Sequence, residues 1–289
     1  MKKCAFLSMD NLEDFECYDY LTFEPLQQLG WQVEEVSWRK KDPDWNQYDL
    51  VVIRSPWDYQ QNADAFVRVL KDIEKSSAVL QNSLAIVEWN INKQYLRELE
   101  SKGVEIVPSL WRNNITAEEL TNFFTTYDTP EIIIKPCISA NADDTFRLTE
   151  SDLPKSADQL IKTFNNRDCM IQPFMPSVIN EGEFSLFYFN GQYSHSILKT
   201  PATNDFRVQE EHGGRLKKIE PEAELLAAAE RTLKAIDSTL LYARLDYVRS
   251  DSGFALMEAE LIEPSLYFYL DPKSPIRFAE AVDNYFQSL

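Results

Sequence analysis

The chain is poor in the residues that build the commonest metal and disulfide sites. Its 289 residues include two histidines and four cysteines, and no two cysteines stand in a C-x-x-C arrangement. A zinc site rich in histidine or thiolate is therefore not expected. Scattered cysteines of this kind are typical of reduced, mostly buried side chains. From this pattern we expect a cytoplasmic protein.

Surplus positive charge and long apolar runs are also missing. The formal net charge is −18, which argues against nucleic acid and anionic membranes, since both attract excess Lys and Arg. No apolar run approaches membrane-spanning length, and the first residues show no signal-peptide pattern. We therefore expect neither nucleic-acid nor membrane partners. The sequence G-K-[S/T] is absent as well, which excludes a P-loop.

The first third of the chain alternates strand and helix patterns. Apolar runs at 4–9, 31–38 and 49–55 predict strands, and the segments 19–30 and 62–76 predict helices. This alternation predicts a parallel α/β layer, whose functional loops lie at the carboxyl ends of the strands.

The pattern changes after about residue 88, where we place a domain boundary. One long helix is predicted over 89–103, and a capping-box pattern from Thr116 to Glu119 begins another. The shorter apolar runs predict strands at 104–111, 131–136 and 169–174. Further helices are predicted at 221–237 and near 274–287.

Two hairpins are predicted in the last third. The first, 183–200, turns at Asn190-Gly191, the strongest short-range hairpin signal. The second, 242–262, is predicted to turn through the three residues 251–253, so that Ser250 pairs with Phe254.

The register that follows from this turn places four charged residues on one face of the second hairpin. Asp246 falls opposite Glu258 and Arg244 opposite Glu260, while Met257 falls on the opposite, apolar face. A solvated face with a cross-strand salt bridge explains Arg244 and Glu260. It does not explain Asp246 opposite Glu258, because like charges in that position are destabilising. A divalent cation bound by carboxylate oxygens would turn this repulsion into a favourable interaction. Spacing alone leaves open whether the face is solvated or binds a metal.

Basic side chains that could hold phosphates stand at the ends of predicted elements. Lys93 lies in the long helix, Lys135 ends a strand and Lys199 ends the first hairpin. The polar loop 203–215 is either a solvated connection or a mobile segment that carries Arg207 to an anion.

The segment "RSPWDY", 54–59, follows the third predicted strand of the first layer. It is either a helix-entry loop with Trp57 at the domain junction, or a substrate loop. In the second interpretation, Arg54 would bind a carboxylate and Asp58 an amine. Trp57 and Tyr59 would form walls beside Ser55.

In chain order, "IIIKP", "IQPFMPSVINEGEFS", "DFRVQEEHGG", "RLD" and "MEAELIEPS" resemble the ATP-grasp superfamily. More narrowly, "VVIRSPWDY", "WNINKQYL" and "LMEAELIEPSLYF" are similar to the ATP-grasp ligase group that includes the O-ureido-serine cyclo-ligase of cycloserine biosynthesis. Glutathione synthetase and the RimK-type ligases resemble it more distantly. The resemblance implies an α/β ATP-grasp fold. It would have a pre-ATP-grasp substrate domain at 1–88 and an ATP-grasp domain at 89–289, with lobes 89–180 and 181–289.

The resemblance also implies roles for individual residues. ATP would be bound by Lys93, Lys135, the hinge strand Gln172, Pro173 and Phe174, and either Glu181 or Glu183 at the ribose. The γ-phosphate and acyl phosphate would be surrounded by Lys199, Arg207 and Arg244. Two Mg²⁺ ions would be held by Asp246, Glu258 and Glu260, the last standing where the family usually has Asn. The substrate would also face Glu263 and Ser265.

The activity implied by the resemblance is ATP- and Mg²⁺-dependent ligation. A carboxylate of a small, amino-acid-like substrate would be activated as an acyl phosphate and attacked by a nitrogen nucleophile, giving a linear or cyclic product. Two alternatives are a catalytically silent nucleotide-binding module and a simple acidic cation-binding protein. The first loop, 137–145, lacks the glycine that relatives have. The sequence leaves open whether the protein forms a homo-oligomer.

Overall fold

The structure is a computed structural model, and it describes residues 1–13, 15–139, 143–203 and 205–289. Ala140, Asn141 and Ala142 of the glycine-free loop lie outside the described residues. Within these ranges the chain forms one parallel and two antiparallel sheets. No helix of the described part is both long and apolar enough to cross a membrane.

The first sheet confirms the predicted parallel α/β layer. Its order is β2-β1-β3-β4, with every neighbouring pair parallel. The strands are β1 (Lys2–Ser8), β2 (Trp31–Ser37), β3 (Leu50–Ser55) and β4 (Val79–Gln81). Helices α1 (Phe23–Gln28) and α2 (Ala63–Glu74) connect them. β3 is buried along its whole length, as expected for a strand covered on both faces.

The long helix predicted over 89–103 is wrong, because the chain forms two helices there. α3 (Leu84–Asn90) and α4 (Tyr95–Ser101) flank a turn that contains Lys93. The Lys93 N–H donates to the Cys137 carbonyl (2.8 Å), so a contact with a distant segment replaces a helical bond. The predicted boundary at residue 88 lies inside α3.

The middle sheet is antiparallel, with the order β5-β8-β6-β7. Its strands are β5 (Leu110–Arg112), β6 (Glu131–Pro136), β7 (Phe146–Thr149) and β8 (Cys169–Pro173). Helices α5 (Ala117–Tyr127) and α6 (Leu153–Thr163) accompany it, and the predicted capping box of Thr116 and Glu119 is confirmed at the start of α5. The strand predicted at 104–111 shortens to β5. β4, β7 and α6 were not among the predicted elements.

The large sheet has the order β11-β10-β9-β12-β13. Short helix α7 (Ser177–Asn180) precedes it, and its strands are β9 (Glu183–Phe189), β10 (Gln192–Thr200), β11 (Arg215–Ile219), β12 (Tyr242–Ser250) and β13 (Gly253–Glu260). Both predicted hairpins are confirmed as β9–β10 and β12–β13. β11 was not predicted.

The predicted three-residue turn of the second hairpin is wrong, yet the predicted register of the charged residues is right. Ser250 pairs with Gly253 around a two-residue turn. Met257 is then an extra residue, since Tyr247 pairs with Leu256 and Asp246 with Glu258. This β-bulge restores the shift that the shorter turn removes. It also places Met257 in the cavity wall rather than on the apolar face of the hairpin.

Two further helices complete the chain, α8 (Ala223–Ile236) and α9 (Ser274–Gln287). Helix α9 joins the first sheet to the large sheet. Its fully buried Phe278 packs edge-on against Phe6 of β1 and Phe189 of β9. The predicted second lobe, 181–289, therefore shares a hydrophobic core with the first sheet.

Candidate active site

A cavity of about 240 Å³ is lined by residues of all three sheets. Trp57 and Tyr59 come from the loop after β3, Lys135 from β6, and Glu258 and Glu260 from β13. Fourteen of the predicted site residues line this cavity, namely Trp57, Tyr59, Lys93, Lys135, Gln172, Pro173, Phe174, Glu183, Arg207, Arg244, Glu258, Glu260, Glu263 and Ser265.

The carboxylates of β12 and β13 are neutralised by basic side chains in an alternating network. Glu258 pairs with Lys93 (2.7 Å), while Glu260 pairs with Arg244. Arg244 also pairs with Asp246 (3.0 Å), and Lys199 lies between Asp246 (3.5 Å) and Glu183. The like charges at Asp246 and Glu258 are thus each compensated by bases, Asp246 by Arg244 and Lys199 and Glu258 by Lys93. In the described part of the chain, no three acidic, His or Cys side chains converge as a preformed metal site.

Asp246 and Lys199 lie behind the cavity wall, since neither lines the cavity and both are almost fully buried. The Asp246 carboxylate accepts bonds from Ser185 and from the Arg244 guanidinium at 3.0–3.2 Å. Burial alone would raise the pKa of Asp246, but Arg244 and Lys199 outweigh burial and lower it. To bind a cation directly, Asp246 would have to exchange these contacts.

The pKa values of Glu258 and Glu260, both of which line the cavity, are shifted in opposite directions. Burial favours a raised pKa at both positions. At Glu258 the ammonium groups of Lys93 and Lys135 outweigh burial, so the pKa is lowered. At Glu260 burial prevails over Arg244, and the negative neighbours Asp246 and Glu258 help to raise the pKa to about 7.

Lys135 differs from the other bases. Its ammonium has no ion pair or hydrogen bond to any residue that the structure describes, although its side chain lines the cavity. Burial lowers its pKa, and the nearby positive charge of Lys93 adds to this, while Glu258 opposes it. A half-buried ammonium that no described side chain pairs with is suited to bind an anionic group.

Part of the cavity wall is apolar. It is formed by Val107, Ile133, Phe174, Val178 and Met257, near the carboxyl end of β8. The Arg147 guanidinium stacks 3.8 Å from the centre of the Phe174 ring, and Gln172 is held by a 2.9 Å bond to Ser109. Such a wall suits a flat, apolar ring.

The structure distinguishes the two candidate ribose residues. Glu183 lines the cavity next to Lys199. Glu181 does not line it, because its carboxylate is occupied by Arg249 at 2.8 Å. Arg207 lines the cavity mouth, where Asp205 holds its guanidinium at 2.8 Å.

Three predicted substrate residues of the 54–59 segment do not reach the cavity. Arg54 is 1% exposed and is paired with Asp19 (3.0 Å). Asp58 accepts bonds from Trp38 (2.6 Å) and from Arg39, and Ser55 from β3 bonds with Ser8. These side chains bond to local partners instead of lining the cavity, although the buried Nη1 of Arg54 has no hydrogen-bond partner in the described part of the chain. The structure therefore does not bring them together with Trp57 and Tyr59 at the site, which corrects their predicted place there.

Several cavity residues were not predicted from the sequence. Phe15, Glu16, Glu210, Glu211 and Tyr267 line its mouth beside Trp57. The ring centres of Phe15 and Trp57 are 5.5 Å apart. The sequence did offer a signal for Phe15, because both residues follow strands of the parallel sheet. Nothing in the spacing of Glu210 and Glu211 separated them from a solvated loop.

Comparisons with known proteins agree with this geometry. The family model "Prokaryotic glutathione synthetase, ATP-grasp domain" matches residues 105–251, more than half of the chain. The chain belongs to the ATP-grasp family. A second model, "D-cycloserine synthetase DcsG, N-terminal domain", matches residues 4–82. As a family member the chain is an ADP-forming ligase that makes a C–N bond.

Individual relatives cover nearly the whole chain. The cycloserine biosynthesis protein DcsG of Streptomyces lavendulae is 26% identical over 274 residues, 90% of each chain. The crystal structure of D-cycloserine synthetase DcsG superposes with a TM-score of 0.86 at 25% identity, covering 98% of this chain and 99% of that one. D-alanine–D-alanine ligase from Bacillus anthracis, solved with ATP, has a TM-score of 0.71 at 14% identity over 100% and 98% of the two chains, which shows the fold alone.

Proposed function

We propose that this ATP-grasp ligase uses ATP and Mg²⁺ to activate the carboxylate of an amino-acid-like substrate as an acyl phosphate. The observation that carries the proposal is the cavity in which Lys93, Lys135 and Arg244 meet Glu258 and Glu260, together with an apolar wall. Such a cavity offers one end to a ring and the other to phosphates.

ATP would lie along the cavity with its adenine against Phe174 and Met257 and its phosphates toward the bases. Lys135 is unpaired within the described residues and would take a phosphate without losing a partner. Lys93 would exchange Glu258 for a phosphate oxygen. Glu183 is the candidate partner of the ribose hydroxyls, since it lines the cavity and Glu181 does not.

The acidic side chains fit Mg²⁺ by their chemistry. Glu258 and Glu260 offer carboxylate oxygens to the cavity, and Asp246 lies directly behind them. Hard cations prefer such ligands and commonly share them with phosphates. Bound there, one or two Mg²⁺ ions would neutralise charge on the transferring phosphoryl group.

The basic residues would then stabilise the charge that develops during the reaction. A substrate carboxylate oxygen attacks the γ-phosphorus and the bond to ADP breaks. A nitrogen nucleophile next attacks the acyl carbon, loses a proton and expels inorganic phosphate. Arg244 faces this centre and is held rigid by Asp246, so its guanidinium is preorganised for the phosphoryl group. Lys199 supports it from behind, and Arg207 stands at the mouth.

The substrate would occupy the end of the cavity nearest the first sheet, between Trp57, Tyr59, Glu263 and Ser265. Burial, together with the charge of Glu260, raises the pKa of Glu263 to about 8. Glu263 is therefore suited to receive an ammonium group, which would favour its charged form. Similarity to DcsG makes a serine-derived amino acid a first candidate.

A phosphate-release assay tests this function. The protein is incubated with ATP, Mg²⁺ and a panel of D- and L-amino acids that includes O-ureidoserine, with and without added amines. We expect at least one acceptor to stimulate phosphate release about tenfold or more over ATP alone. Mass spectrometry of the product distinguishes loss of water within one substrate, a cyclic product, from joining of two. No stimulation by any acceptor would contradict the proposal.

A further inference from the structure

Six consecutive backbone carbonyls after β13 are each held by a side chain. This carbonyl segment, 261–266, contains Glu263 and Ser265 and belongs to no helix or strand. In chain order the acceptors Leu261, Ile262, Glu263, Pro264, Ser265 and Leu266 receive bonds from Asn82 (2.7 Å), Tyr242 (2.7 Å), Trp57 (2.8 Å), Arg54 (3.0 Å), Arg244 (3.2 Å) and His195 (3.1 Å).

The donors come from two different parts of the fold. Asn82, Arg54 and Trp57 follow or end strands of the first sheet, and the others belong to β10 and β12 of the large sheet. Irregular segments commonly satisfy their carbonyls with water or with nearby backbone. Here side chains do so at every position, all of them buried except the half-buried Trp57, and this fixes one backbone conformation between the two sheets.

Two of these donors, Arg54 and His195, hold the carbonyls of Pro264 and Leu266, which flank Ser265. Arg54 is buried with Asp19, and a buried ion pair gains little over apolar side chains of the same volume. What the guanidinium adds is the fork of Nε and Nη2, which both donate to Asp19, while Nη2 also donates to the Pro264 carbonyl. His195 stacks on Phe187 at 4.2 Å, and its Nε2 must carry the proton because the Leu266 carbonyl can only accept.

We propose that Arg54 and His195 are positioning residues for the substrate. By holding the Pro264 and Leu266 carbonyls on either side of Ser265, they aim Ser265 and the adjacent Glu263 into the cavity. This rests on the proposed function, in which Glu263 and Ser265 contact substrate. ATP binds the bases and the apolar wall instead, so its binding does not depend on these two donors.

Kinetics of paired variants test this role. His195→Phe keeps the ring stacked on Phe187 but removes the N–H, whereas His195→Gln can still donate to the Leu266 carbonyl. Arg54→Lys keeps a charge beside Asp19 but loses the fork. With the best acceptor from the amino-acid panel, we expect His195→Phe and Arg54→Lys to raise the acceptor KM about tenfold and the ATP KM less than twofold. His195→Gln should recover most of the loss.

A general loss of stability is controlled by Thr232→Val, which removes a buried hydroxyl bond to Tyr247 (2.7 Å) away from the carbonyl segment. Hydrogen exchange followed by mass spectrometry should show faster exchange at 262–266 in His195→Phe and not in Thr232→Val. The positioning role alone is overturned if the wild type is active but His195→Phe and Arg54→Lys change the acceptor KM and the ATP KM equally. It is also overturned if they change the acceptor KM no more than Thr232→Val does. A wild type inactive with every acceptor overturns the proposed function and this proposal with it.

Discussion

At the scale of single residues, the cavity is organised by the pairing of opposite charges. Each carboxylate that β13 turns toward the cavity is matched by a base, Glu258 by Lys93 of the turn before α4 and Glu260 by Arg244 across the hairpin. The sequence predicted the carboxylate face correctly and placed Arg244 opposite Glu260. It could not predict Lys93 as the partner of Glu258, because Lys93 lies in a turn whose position depends on a contact with Cys137.

Glu258→Gln is expected to lower turnover at least a hundredfold, about 2.7 kcal/mol of transition-state stabilisation. The amide keeps the shape of the side chain and can still accept a bond from Lys93, but it carries no charge for a cation. The measurement is phosphate release at saturating ATP, with the thermal midpoint recorded to show that the fold is intact. Glu105→Gln is the matched control, since Glu105 bonds Ser250 and Ser252 at the far end of the same hairpin. Undiminished turnover in Glu258→Gln would refute the metal assignment.

His195 is expected to make the free energy of unfolding depend on pH. Burial lowers its pKa to about 4 from 6.5, against the backbone bond to Leu266 and nearby Asp271, while Arg277 and Lys218 add to the lowering. Between about pH 6.5 and pH 4, His195 is therefore protonated in the unfolded chain but neutral in the folded chain. The free energy of unfolding falls as the pH falls through this window. Urea unfolding at pH 7, 6 and 5 should show wild type losing up to ~1.4 kcal/mol per pH unit more than His195→Gln. Parallel pH curves for the two proteins would contradict this.

At the scale of elements, the second hairpin shows how a local error left the site prediction intact. The turn was predicted one residue too long, and the bulge at Met257 was not foreseen. The shorter turn and the bulge shift the pairing by one residue in opposite directions. Beyond Met257 the predicted pairs of Asp246 with Glu258 and of Arg244 with Glu260 are therefore right. Bulges leave no reliable mark in a short apolar run, because the extra residue is as apolar as its neighbours. Helix 89–103 failed for a different reason: the Lys93 N–H bonds the Cys137 carbonyl, a partner that tertiary structure alone supplies.

Met257→Ala is expected to weaken ATP binding about tenfold. The bulge brings Met257 into the apolar wall, and truncation removes Cγ, Sδ and Cε. Loss of about two methylene equivalents of contact with the ring, at ~0.8 kcal/mol each, corresponds to this weakening. Calorimetry with a non-hydrolysable ATP analogue measures the change. Met257→Leu, of similar volume, should bind nearly as wild type does. Equal affinities for the Ala and Leu variants would show that the adenine lies elsewhere.

At the scale of the whole molecule, the first sheet and the large sheet share one hydrophobic core. The parallel layer was predictable from strand and helix periodicity, and the family resemblance extended that to the ATP-grasp fold. The joint core was not predictable, because it depends on contacts that are distant in sequence. Phe278 of α9 packs against β1 at the other end of the chain and against β9.

Phe278→Ala is expected to lower the free energy of unfolding by about 3–5 kcal/mol, the usual cost of removing a buried aromatic ring. Phe278 is fully buried and packs against rings from both sheets. Ile276→Ala on the exposed side of the same helix is the control, with a change within about 0.5 kcal/mol. Urea denaturation at neutral pH compares the two. Similar midpoints would mean that α9 does not couple the sheets.

Under the proposed function, the alternating charges of the cavity would make nucleotide binding an exchange rather than an addition. Lys93 and Arg244 would leave Glu258 and Glu260 to reach phosphates, and each carboxylate so released would become available to a divalent ion. ATP and Mg²⁺ would therefore bind cooperatively through this exchange. Linkage requires the effect to be mutual: the factor by which Mg²⁺ tightens ATP is the factor by which ATP tightens Mg²⁺.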